Sequence, residues 1–164
     1  MKKVFLSTLF YLIALTCFSQ VSTIELDSTS GKFQAQGIIE FDSIMAADLY
    51  TSTLSFLPKA FVNAKYATQV ADKEAGLLVI KSNFLIGSLS DSRLHFILTL
   101  NFKDNKFRYN FTDFVYSIGT FGETAFENKI AGKKKIKSEA EEQIKNLIIG
   151  LTNHVKKAKA DSRW

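Results

Sequence analysis

The chain has 164 residues, 46% of them hydrophobic, a formal charge of +5 and one cysteine. A lone cysteine excludes a disulfide framework, and the length suits one domain that relies on its apolar core. The charge is uneven: residues 20–128 carry nine Lys and Arg against twelve Asp and Glu, and residues 129–164 carry ten against four. The plain reading of that basic end is a solvated helix face and tail; the alternative is contact with an anionic partner.

Met1-Lys2-Lys3 leads into an apolar run ending Cys17-Phe18-Ser19-Gln20. A short basic start, an apolar core and a small-x-small end predict a secretory signal peptide over residues 1–19, cut between Ser19 and Gln20. The run falls short of the roughly 20 residues a spanning helix needs, so the mature chain is expected to keep no transmembrane segment. Ala14-Leu15-Thr16 is a poor lead-in for lipid attachment at Cys17. The expected organisation is a signal at 1–19, a linker at 20–30, one domain at 31–159 and a tail at 160–164.

Residues 31–41 alternate, with Phe33, Ala35, Gly37 and Ile39 on one side, which predicts a strand. Asp42 and Ser43 are candidate caps for a helix whose stripe is Ala47, Tyr50, Leu54, Leu57 and Phe61. Pro58 either ends that helix near Phe56 or kinks it. Residues 68–71 and 77–85 flank Asp72-Lys73-Glu74-Ala75-Gly76 and read as a hairpin, and 87–93 reads as a polar turn.

Residues 94–114 carry the clearest pattern. Leu94, Phe96, Leu98, Leu100 and Phe102 point one way. Past an Asp104-Asn105 turn, Phe107, Tyr109 and Phe111 meet them if Lys103 opposes Lys106. Strict alternation places His95, Ile97, Thr99, Asn101, Arg108, Asn110, Thr112 and Phe114 together on the opposite face, and puts Asp113 on the other side from His95.

Residues 115–137 read as a long loop with room for one short element near 124–130. A helix over 138–159 is predicted from the Ser138/Glu141 capping-box spacing and the stripe Ala140, Ile144, Leu147, Ile148, Leu151, Val155 and Ala158. Lys133, Lys134, Lys135 and Lys137 before it read as a solubilising cap. The order β-α-β-β-β-β-α predicts an α+β two-layer sandwich, an antiparallel sheet of about five strands with helices on one face.

The exported start, Asp72-Lys73-Glu74-Ala75-Gly76, and Phe107-Arg108-Tyr109-Asn110-Phe111-Thr112-Asp113-Phe114 together resemble a family of small secreted Bacteroidota proteins described as a domain of unknown function with a TBP-like fold. The resemblance covers residues 31–114 and extends to the last helix by position. It implies a curved antiparallel sheet with helices on one face and the other face free for contacts; it transfers no activity or catalytic residue.

His95 and His154 are the chain's two histidines, and they stand far apart in sequence without the local spacing of a metal site. No Gly-x-Ser-x-Gly elbow is present, and Gly119-Thr120-Phe121-Gly122 lacks phosphate-loop spacing. No catalytic residue, metal or cofactor is therefore expected. The leading expectation is an exported, periplasmic or secreted, non-enzymatic binding module of the cell envelope. Its candidate residues are His95, Thr99, Asn101, Arg108, Asn110, Thr112 and Phe114, and its partner would be an envelope protein, a polysaccharide or a small molecule. The alternative is a hydrolase centred on His95 with a carboxylate. Nucleic-acid binding would rest on fold analogy alone, and export removes that ligand.

Overall fold

The computed structural model describes residues 23–61, 67–86, 91–119, 122–128, 130 and 132–161. The expected signal segment and cleavage site, the Gly87–Ser90 part of the polar turn, Thr120 and Phe121 lie outside them. The elements are β1 (Glu25–Leu26), β2 (Phe33–Glu40), α1 (Ala46–Ala60), β3 (Thr68–Asp72), β4 (Leu77–Leu85), β5 (Ser92–Lys103), β6 (Lys106–Ile118), β7 (Glu123–Ala125) and α2 (Lys133–Asp161). Among the described residues seven antiparallel strands form one sheet in the order β1-β2-β6-β5-β4-β3, with β7 paired to β6 beyond the end of β2. The class is the α+β sandwich expected, with more strands than five. The two extra strands are short: β1 lies in the stretch read as a linker, and β7 in the stretch read as a loop.

The β5–β6 hairpin has the register its sequence dictates. Lys103 opposes Lys106, Phe102 opposes Phe107, Leu100 opposes Tyr109 and Leu98 opposes Phe111. Asn105 takes the left-handed conformation at the turn, with φ 64°, which Asn tolerates better than most residues. These side chains pack with Leu78, Ile80 and Phe84 of β4 and Ala35 and Ile39 of β2 in one buried core. Gly37 is required there, because a Cβ would collide with the ring and hydroxyl of buried Tyr109.

The helices cover one face of the sheet. Helix α1 buries Leu49, Tyr50, Thr53 and Leu57. The expected stripe is shifted, for Ala47 is exposed and Ala46 packs on the core instead. Pro58 lies within the last turn of an uninterrupted helix. Neither Asp42 nor Ser43 caps it: the cap residue is Met45, which offers no side-chain bond, and the Asp104 carboxylate accepts the Ala46 N–H from across the fold. Helix α2 begins at Lys133, five residues before the expected start, and buries Ile136, Ala140, Ile144, Ile148, Leu151 and Val155. Ser138 is thus inside the helix, and Glu141 serves the backbone N–H of Ile24 at 2.9 Å rather than a capping box. Lys133 is more than a solubilising group: its ammonium donates to the carbonyls of Glu127 and Asn128 and lies 4.6 Å from the centre of the Phe33 ring.

Candidate functional site: the outer sheet face

Alternation along the strands sends the other set of side chains to the face the helices leave uncovered. Cross-strand pairing sets them in rows. Ile38, Arg108, Asn101 and Leu77 form one row across β2, β6, β5 and β4, and Gln36, Asn110, Thr99 and Val79 form the next. Thr112 follows opposite Ile97, and His95 lies opposite Val115. Six of the seven candidate residues therefore share one surface: His95, Thr99, Asn101, Arg108, Asn110 and Thr112.

Phe114 does not join them. It is 1% exposed, with its ring 6.2 Å from that of Phe126 beneath β7. The cause is a β-bulge: pairing steps from Ile97↔Thr112 to His95↔Val115, so that two residues of β6 stand opposite Phe96. Asp113 absorbs the extra residue with φ 52°, a conformation that carries a strain of about 1–3 kcal/mol for a non-glycine residue. Beyond it the inward and outward positions exchange. The bulge also overturns the expectation that His95 and Asp113 lie on opposite sides, because both line the same hollow.

That hollow opens to solvent, has a volume of about 140 Å³, and is lined by Lys81, His95, Phe96, Ile97, Asp113, Val115 and Glu123. The His95 imidazole is bonded through Nε2 to the Ser117 hydroxyl at 3.0 Å, and Ser117 is 9% exposed. No carboxylate hydrogen bond to His95 is present among the described residues. Asp113 is engaged by the Lys32 ammonium at 2.7 Å, and that hydrogen bond, with the attraction of the carboxylate, holds the Lys32 pKa above its ordinary value. Sequence reasoning missed Lys81, Ser117 and Glu123 and set Asp113 on the wrong side, since the hollow draws on β4, β5, β6 and β7 at once. A trace of the bulge is nonetheless present in the chain, where Phe107, Tyr109 and Phe111 recur every second residue and Phe114 follows after three.

The face carries apolar side chains in the open, with Ile38 48% and Val70 42% exposed. Among its described residues none is Phe, Tyr or Trp. Asn110 Oδ1 is buried from solvent yet has no hydrogen-bond partner among the described residues. Among the described residues no group of three or more His, Cys, Asp or Glu is placed to hold a metal ion, and no helix is long and apolar enough to cross a membrane.

Among the described residues the antiparallel sheet is backed by two helices on one side and by none on the other, which defines the class: an open-faced α+β sandwich. Residues 36–117 match the family described as a domain of unknown function (DUF4468) with TBP-like fold, and the chain belongs to that family. Two solved structures have the same architecture. A TBP-like protein from Parabacteroides distasonis is 12% identical with a TM-score of 0.65, over 80% of this chain and 97% of that one. A DUF4468 family protein from Bacteroides ovatus, also 12% identical, has a TM-score of 0.62 over 79% and 90%. At that identity the likeness is one of fold. Among curated proteins none matches the sequence.

Proposed function

We propose that the chain is an exported, non-enzymatic binding module of the cell envelope whose recognition surface is the outer sheet face. The observation that carries this reading is the division of labour in the sheet: both helices pack on one side, and the other side presents Thr99, Asn101, Arg108 and Asn110 with exposed Ile38 and Val70. Mixed polar and apolar surface of this kind suits partner contact. The partner best suited to it is a protein, because polysaccharides and single-stranded nucleic acids favour aromatic stacking platforms and the described face has none. Arg108, opposite Asn101, adds a planar donor fork suited to a carboxylate on that partner.

The hydrolase alternative has less support. His95 lies in an open hollow and bonds to Ser117 rather than to a carboxylate.

The test is capture from envelope extract by the mature chain, the Asn101→Ala/Arg108→Ala/Asn110→Ala variant and a helix-face control, Lys156→Ala. A species held by the first and third and lost by the second supports the proposal; identical profiles from all three refute it. Export is checked by N-terminal sequencing of the secreted or periplasmic protein, with Gln20 as the expected first residue.

A further inference from the structure

We infer that the hollow at the β6 bulge binds a short peptide by its free ends, with the peptide carboxylate at Lys81 and its amino group at Glu123. This rests on the outer face being a binding surface, and adds a ligand class and a location away from Arg108.

The hollow exists because of the bulge. The extra residue at Asp113 turns Thr112 and Asp113 outward in succession and bends the strand, a device that commonly re-aims side chains beside a site. Ile97 and Val115 give it an apolar floor.

The charges around that floor are not equivalent. Asp113 is matched by Lys32 at 2.7 Å, and the Ser117 hydroxyl is held by His95. Lys81 and Glu123 both line the hollow, and neither has a hydrogen bond or ion pair among the described residues. One open cation and one open anion thus flank an apolar floor, an arrangement complementary to a zwitterion rather than to a simple anion or cation.

The spacing selects the kind of zwitterion. Lys81 is on β4 and Glu123 on β7, with β5 and β6 between them. Lys81 is in register with Thr112 and Glu123 with Ser117, so three strand separations combine with about four residues along β6 to put their backbones roughly 19 Å apart. The lysine and glutamate stems shorten that gap without closing it to the single Cα that separates the charges of a free amino acid. Each further residue adds about 3.3–3.6 Å of extended chain, so two or three residues bridge the two groups. A hollow of 140 Å³ holds about five waters, which suits small side chains.

The experiment is a titration of the isotopically labelled mature chain with trialanine, followed through the amide signals of Ile97 and Val115. The comparison ligands are N-acetyl-trialanine, trialanine amide, the doubly capped peptide and free alanine. Saturable shifts with trialanine are expected, weakened roughly five- to tenfold by capping either end. Lys81→Gln should bind trialanine and its amide alike, and Glu123→Gln should bind trialanine and its N-acetyl form alike; both positions are exposed, so both variants fold. Equal binding of the doubly capped peptide, equal binding of alanine, or no saturable shift at millimolar trialanine overturns the inference. If trialanine fails while the Asn101/Arg108/Asn110 variant still loses its captured partner, this site alone falls and the recognition face stands.

Discussion

The Asp104 carboxylate accepts the backbone N–H of Ala46 at 2.8 Å, so the turn of the central hairpin caps a helix 58 residues earlier in the chain. The neighbouring Asn105 reinforces it, taking the Ile44 N–H on its side-chain oxygen at 2.9 Å.

Asp104→Ala should therefore destabilise the protein by about 1 kcal/mol, the usual value of an N-cap bond, although Asp104 is far from the helix in sequence. The urea midpoint measures this. Adding Met45→Ser, which supplies a local hydroxyl at the cap residue, should recover part of the loss; no recovery would mean that Asp104 acts other than as a cap.

The bulge makes a prediction opposite to that of strict alternation. Phe114→Ala should cost about 3–5 kcal/mol, because it empties a fully buried aromatic site. Thr112→Ala, on the outer face, should stay within about 0.5 kcal/mol. Equilibrium unfolding of the two variants decides the register, and comparable losses would contradict the bulge.

Acid should weaken the contact between the helices. His154 on α2 bonds to the Ser55 hydroxyl of α1 at 2.8 Å, beside the ring of Phe56. Desolvation, followed by repulsion from Lys59 and Lys157, holds its pKa below the ordinary 6.5. The unfolded chain therefore binds the proton more readily than the folded one. Stability should be unaffected by this group above the unfolded pKa, fall as pH drops through it, and level off below the lowered folded value. The imidazole is half-buried and is a single titrating group, so the fall is small. It should vanish in His154→Gln, as thermal melts between neutral and mildly acid pH would reveal.

The central hairpin was legible because alternation, turn chemistry and apolar pairing all demanded one register, and a slip of one residue would have sent Leu98 and Phe111 to opposite faces. The same rule misplaced Phe114, since alternation assumes one residue per step and Asp113 breaks it. The start of α2 was hidden for another reason. Ser138 and Glu141 have the spacing of a cap, but Glu141 serves Ile24, 117 residues away, and no local pattern encodes so distant a partner. Of the candidate site, the pairs Arg108–Asn101 and Asn110–Thr99 followed from a single hairpin. The hollow needed β4 and β7 as well, and so could not be seen from any one stretch.

The bond from Ile24 to Glu141 also bears on when the fold can close. Helix α2 follows every other described element along the chain, and it also reaches back to the carbonyl of Asp42, just before α1, through Lys159. The first strand and the approach to α1 thus gain these partners only after the whole sheet has been made. Until then the N-terminal part lacks its clasp, so the contacts that close this fold are among its most distant in sequence and carry the largest loop-closure cost.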